Sequence, residues 1–235
     1  MTGTFYGVGV GPGDPELMTL KARRILNQVE VIIAPESAPG KGSIASDIVR
    51  GQLDDPGKIL PLVFPMTYNR EQLNAAWQAN LDSVLDLLNQ GKDVAFITLG
   101  DPMLYSTCAH LMRHLKPHNI TVETVPGIPA FCAAASRLNR AVAEENQTVA
   151  IIPAAYKQPH LDALLAIADN VVVMKPSRGY GELVDKLGQH GFLGDAVMVS
   201  HCGHDKEQIT DNLTAVDPDA VDYLSIILAS KGIAS

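Results

Sequence analysis

Four segments rich in Gly and Pro hold the residues whose types and spacing could do chemistry: GVGVGPGDPE at 7–16, ITLGDPMLYS at 97–106, VPGIPA at 125–130 and SHCGHD at 200–205. In the first, glycines permit a tight turn and close approach of a ligand to the backbone, and the helix start that follows favours anions. A Rossmann dinucleotide loop would need a further glycine at 12 or 14, where Pro12 and Asp14 stand, and a carboxylate there would repel a pyrophosphate. No GK[ST] follows, so the segment is not a P-loop. By itself it serves equally as a structural turn or a ligand loop. In the second, Gly100-Asp101-Pro102 follows an apolar run, at the strand end where parallel α/β sheets hold ligands. Each of the three is also an ordinary turn residue. The third leads into a small-residue helix around 133–136. The fourth brings His201, Cys202 and His204 together, but no partner pair follows at zinc spacing, and no metal site is assigned. His110 and His114, one helical turn apart, read as a solvated helix face.

These segments lie between alternating apolar runs and helical patterns, the signature of an α/β protein. A strand at 4–9 precedes a helix that starts at Asp14-Pro15 and carries an apolar stripe of Met18, Ala22, Ile25, Leu26 and Val29. A strand at 31–34 is stopped by Pro35, Ser43 caps a helix over 44–53, and the proline-interrupted stretch 59–65 makes a poor central strand. Then come a helix over 71–89, a buried strand at 93–99 and a helix over 105–116. Pro117-His118-Asn119 is the expected hinge between domains 1–117 and 118–235. Beyond it the patterns predict strands at 121–125, 148–153, 170–175, 196–200 and 223–229, with helices at 129–138, 158–168, 180–188 and 206–212.

Composition narrows the function. The 235 residues carry 18 Lys+Arg against 26 Asp+Glu, a net charge of −8, which argues against a nucleic-acid partner. No apolar run approaches the roughly 18 residues of a membrane span. The N-terminal MTGTFYGVGV lacks the pattern of a secretion signal. Three cysteines, far apart and without a CxxC, read as free thiols, so a cytoplasmic protein is expected.

Taken together and in order, GVGPGDPELMTLKA, GDPMLY, VPGIPA and SHCG resemble the tetrapyrrole (precorrin/corrin) methylases over nearly the whole chain. Several stretches look most like the members that methylate C20 of precorrin-2 or cobalt-factor II in cobalamin biosynthesis. These are KARRILNQVEVIIAP, GSIASDIVR, the FPM at 64–66 followed by Trp77, and FITLGDPMLYST. The resemblance implies two α/β domains with the active-site cleft between them, S-adenosylmethionine as cofactor, a tetrapyrrole substrate and a homodimer. It places Pro12, Gly100, Asp101, Pro102, Tyr105, Pro129, Ala130, Met174 and Gly203 at the cofactor. Many relatives have Thr or Ser where Pro129 stands, so a hydroxyl contact is lost there while backbone contact remains.

A sulfonium methyl donor is already activated, so transfer to an electron-rich meso carbon demands alignment, worth up to roughly 7–11 kcal/mol, rather than a side-chain nucleophile. Asp101 is a candidate base by position, with a cofactor-holding or structural role as its alternative. Phe64, Met66 and Trp77 are candidates for substrate placement, with packing of a core or a dimer interface as the alternative. The carboxylates of the substrate call for local cations; Lys21, Arg23, Arg24, Arg70, Arg113, Lys157 and Arg178 are available. Methylation elsewhere on the macrocycle is the nearest alternative activity. A nucleotide-dependent oxidoreductase and a metal carrier using His201, Cys202 and His204 are distant ones.

Overall fold

The structure, a computed structural model, describes residues 2–65, 67 and 69–232. The chain forms two compact units, Met1–Pro129 and Ala130–Ser235.

Unit 1 is built on a five-stranded sheet of β1 (Thr4–Gly9), β2 (Val31–Glu36), β3 (Ile59–Val63), β4 (Val94–Thr98) and β5 (Thr121–Val125). Their order is β3-β2-β4-β1-β5, and every pairing is parallel. Alternation along β4 sorts its side chains onto two faces. Ala95 and Ile97 pack with α1 (Leu20–Gln28) and α2 (Ile44–Arg50) through Ala22, Ile25, Leu26, Ile48 and Val49. Val94 and Phe96 pack with α3 (Arg70–Asn89) and α4 (Thr107–Leu115) through Leu81, Val84, Leu88, Leu111 and Leu115. A parallel sheet covered on both faces explains why its strands read as continuous apolar runs.

Unit 2 orders β6 (Val149–Pro153), β7 (Asn170–Met174), β10 (Ser225–Ser230), β8 (Ala196–Ser200) and β9 (Gln208–Thr210) into a mixed sheet. β6 and β7 are parallel, and β10 runs antiparallel to both β7 and β8. One face buries Ile152, Val171, Val173, Met198 and Ile227 against α6 (Leu161–Ile167) and α7 (Tyr180–Gln189). On this unit α5 (Ala130–Arg137) packs against β10.

Several boundaries differ from the sequence reading for identifiable reasons. Residues 117–119 are no hinge between domains: α4 runs into a 3-10 turn, Asn119 turns the chain in a left-handed conformation, and β5 then joins the first sheet beside β1. The units divide between Pro129 and Ala130. Asp14 caps only a 3-10 turn at Pro15–Leu17, and Thr19 caps α1 separately, leaving Met18 outside it. Pro35 does not stop β2, because β4 pairs only with Val31–Ile33 and the missing N–H at Pro35 is not needed on that side. The helix expected over 206–212 is instead the short edge strand β9, whose Ile209 and Thr210 extend the ladder from β8.

Candidate functional site

β4, β1 and β5 are adjacent and parallel, so the loops that follow them emerge at one edge of the first sheet. Those loops are the first three segments singled out by sequence. They are locked together by backbone contacts. Gly100 N–H donates to Gly11 O at 2.8 Å, and Val10 N–H donates to Thr98 O at 3.0 Å. A Cβ on Gly127 would lie 2.1 Å from Gly100 O, and one on Gly9 would lie 2.6 Å from both Gly100 O and Gly127 N. Only bare backbone fits where the three loops meet.

Asp101 ties two of them. Its Oδ1 accepts Met103 N–H at 2.8 Å and its Oδ2 accepts Gly127 N–H at 3.0 Å. Both carboxylate oxygens are therefore engaged by backbone donors, an arrangement suited to holding loops and less to taking a proton. Pro12, Gly100 and Pro102 are buried around this latch. Ser106 caps α4 by accepting Ala109 N–H at 3.1 Å while its hydroxyl donates to Pro102 O. Tyr105 does not begin the helix; it sits before it in a left-handed turn with φ 50°, half exposed. Pro129 is partly exposed at the last position of unit 1.

In unit 2, Ala130 opens α5, Met174 ends β7 and Gly203 lies in the turn after β8. Gly203 N–H donates to Glu207 Oε2 at 2.9 Å, and Glu207 pairs with Arg137 of α5 at 2.7 Å. These two contacts, the Gly203 N–H first, hold the Glu207 carboxyl below its ordinary value. The other residues of the SHCGHD turn take separate tasks. His201 lies 3.3 Å from Asp222. Burial pushes the Cys202 thiol up to about 11. His204 Nε2 is a buried nitrogen with no hydrogen-bond partner among the described residues. Among the described residues no three His, Cys, Asp or Glu side chains gather as metal ligands.

The residues offered for substrate placement fall elsewhere. Phe64 is buried against Trp77 and Phe96, with ring centroids 4.9 and 5.6 Å away, so it packs the core of unit 1. Met66 lies outside the described residues. His110 and His114 do not form a plain solvated face. Trp77 packs edge-on to His110 at 4.3 Å, and burial first, then the His114 and Arg113 charges, lower the His110 pKa.

In unit 1, strand-end loops stripped to backbone and tied by a carboxylate lie at the edge of a parallel α/β sheet where such proteins place their ligands. The model of the family described as Tetrapyrrole (Corrin/Porphyrin) Methylases matches residues 4–217, and the chain belongs to that family.

The chain is 33% identical over 232 residues to the cobalt-precorrin-2 C(20)-methyltransferase of Salmonella typhimurium, with 98% of each chain covered. It is 38% identical over 227 residues to the probable cobalt-precorrin-2 C(20)-methyltransferase of Methanocaldococcus jannaschii, covering 96% of this chain and 95% of the relative. Among solved structures it matches the uroporphyrin-III C-methyltransferase of Thermus thermophilus complexed with S-adenosylhomocysteine. That match has a TM-score of 0.69 at 19% identity and covers 97% of this chain and 98% of the other. It speaks for the fold. No helix of the described residues is long and apolar enough to cross a membrane.

Proposed function

We infer that the chain methylates C20 of a precorrin-2-type macrocycle with S-adenosylmethionine, a step of cobalamin biosynthesis. The observation that carries this reading is near-full-length similarity to two relatives named for that reaction. Metal-free precorrin-2 would give precorrin-3A, and cobalt-factor II would give cobalt-factor III. Both relatives carry cobalt in their names, so the cobalt macrocycle is the first substrate to test.

When bound, S-adenosylmethionine supplies a methyl group already activated on a sulfonium. What this chain must add is position. Pro12, Gly100, Asp101, Pro102 and Tyr105 of the first unit, with Pro129, Ala130, Met174 and Gly203, are the residues proposed to hold the cofactor. The glycines at 9 and 127 let the loops after β1, β4 and β5 close on one another, which sets the positions of the residues on them. Asp101 fixes the loops through Met103 and Gly127. His204 Nε2 is a further buried group that a ligand's donor or acceptor would satisfy. The protein is proposed to work as a homodimer in the cytoplasm, as the family resemblance implies; sedimentation of the purified protein tests the dimer.

Incubation with carbon-13 methyl donor and each macrocycle, followed by NMR, tests the reading. A label on the meso carbon between rings A and D is expected. A label on a ring β-carbon would overturn the C20 assignment and leave the family untouched.

A further inference from the structure

We propose that the carboxyl edge of the second sheet carries an anion subsite, formed by Lys157, Lys175 and Arg178 around Tyr156 and Tyr223, that takes the carboxylates of the tetrapyrrole substrate. The proposal rests on the functional reading above and deepens it.

β6 and β7 are parallel, and β7 and β8 both run opposite to β10, so all three end at one edge. Each is followed by a non-glycine residue in the left-handed region: Ala154 (φ 52°), Lys175 (φ 57°) and His201 (φ 51°). Backbone bonds knit these turns side by side. Ala154 N–H donates to Met174 O at 3.0 Å, Lys175 N–H to Ser225 O at 3.3 Å and His201 N–H to Leu224 O at 3.3 Å. Lys175 thus follows directly on Met174, one of the residues assigned to the cofactor.

Two tyrosines stay exposed around this edge, Tyr156 by 43% and Tyr223 by 46%. Both rings carry cations. Lys157 Nζ and Arg178 Cζ each stand 5.5 Å from the centroid of Tyr156, and Lys175 Nζ stands 5.2 Å from that of Tyr223. Arg178 also donates to the Tyr156 hydroxyl at 3.5 Å, which helps to lower the tyrosine's pKa. An exposed cation–ring pair contributes little to stability, so folding alone does not account for three of them on two rings beside costly left-handed turns.

The charge balance points the same way. Glu207 is already paired with Arg137, and Asp222 lies against His201. Among the described residues neither Lys157 nor Lys175 has a carboxylate partner. In a chain of net charge −8, cations gathered at one sheet edge, two of them lysines without a carboxylate partner among the described residues, are what a polycarboxylate ligand requires.

The test compares wild type with the Lys157→Ala/Lys175→Ala double variant and with Arg178→Ala. The probe is uroporphyrin III, a stable tetrapyrrole with carboxylate side chains, titrated by its absorbance at low and high salt. Calorimetry with S-adenosylhomocysteine and the unfolding midpoint are measured beside it. The expected result is porphyrin binding weakened about tenfold in the double variant, with a shallower salt dependence. Affinity for S-adenosylhomocysteine should stay within about twofold, since the lost contacts are ionic pairs to another ligand. Unchanged porphyrin affinity in both variants overturns the subsite, and so does an equal loss in the charge control Lys116→Ala or a wild type that does not bind the porphyrin. A wild type that binds it yet fails to methylate either macrocycle strikes the functional reading and leaves the subsite standing.

Discussion

Replacing Asp101 by Asn separates a latch from a base. The Asn side chain has the same shape, but one oxygen becomes an NH2 group. Whichever way the amide turns, either Met103 N–H or Gly127 N–H then faces a donor in place of the acceptor it has at 2.8 or 3.0 Å. Losing a charge-assisted bond and leaving a part-buried donor unpaired costs about 1–3 kcal/mol. Asp101 is partly exposed, so water recovers some of this, and about 2 kcal/mol is the working figure. For a chain of this length that lowers the unfolding midpoint by about 4–8 °C. The Gly127 loop, freed on one side, should weaken S-adenosylhomocysteine about tenfold, and misalignment on the order of 1 Å carries a rate penalty of about a hundredfold. Scanning calorimetry, ligand calorimetry and kcat/KM across pH measure the three effects. A variant with wild-type midpoint and cofactor affinity but abolished turnover would refute the latch and make Asp101 the proton acceptor.

Three further outcomes follow from the same geometry. Gly127→Ala places a Cβ 2.1 Å from Gly100 O, where backbone cannot yield cheaply, so purified variant should lose S-adenosylhomocysteine binding or fold poorly, as read by calorimetry and circular dichroism. Burial, with the Asp101 charge second, pushes the Cys108 thiol up to about 12 from an ordinary 9.0, and burial pushes Cys202 up to about 11. The unfolded thiols ionise first, so this stability is fully present below about pH 9 and is lost as pH rises from 9 toward 12. At pH 8 the half-exposed Cys132 should react with a thiol reagent well ahead of both. His110 has its pKa lowered, so the stability of its neutral form is present above the ordinary value and lost as pH falls through the lower folded one. The His110→Gln variant should flatten the acid limb of the midpoint-versus-pH curve and leave turnover within a few-fold.

The central strands β4, β7, β8 and β10 are legible because each is a nearly unbroken apolar run, as covered strands must be, and the loops are legible because glycines advertise close backbone approach. Partnership was less legible. Nothing local at Thr121–Val125 tells that this segment pairs with Thr4–Val8 rather than with the strands that follow it, so punctuation at 117–119 mimics a hinge. The same limit applies to Gln208–Thr210. Three residues acquire strand character from the open edge of β8, while their own pattern suits a helix as well. Asp101 was found by its place after β4, but that both its oxygens meet backbone donors follows from the approach of the β5 loop, which only the pairing of β5 with β1 brings near.

Left-handed backbone separates what sequence reports from what it hides. Gly11, Gly100 and Gly203 adopt positive φ and announce it by being glycine. Ala154, Lys175, His201 and Tyr105 adopt it with side chains attached, and no residue type marks them. Each such residue carries strain of about 1–3 kcal/mol, and a fold retains it only where the surroundings fix the backbone. Here Ala154, Lys175 and His201 each donate a backbone N–H, to the Met174, Ser225 and Leu224 carbonyls, which fixes three of them in a row. A glycine at 175 would relieve that strain and remove the cation over Tyr223. Lys175→Gly therefore discriminates between two accounts of the edge: a gain in unfolding midpoint together with a loss of porphyrin affinity marks a residue kept for binding. A loss of midpoint with unchanged affinity would make the lysine a structural support for Tyr223 and nothing more.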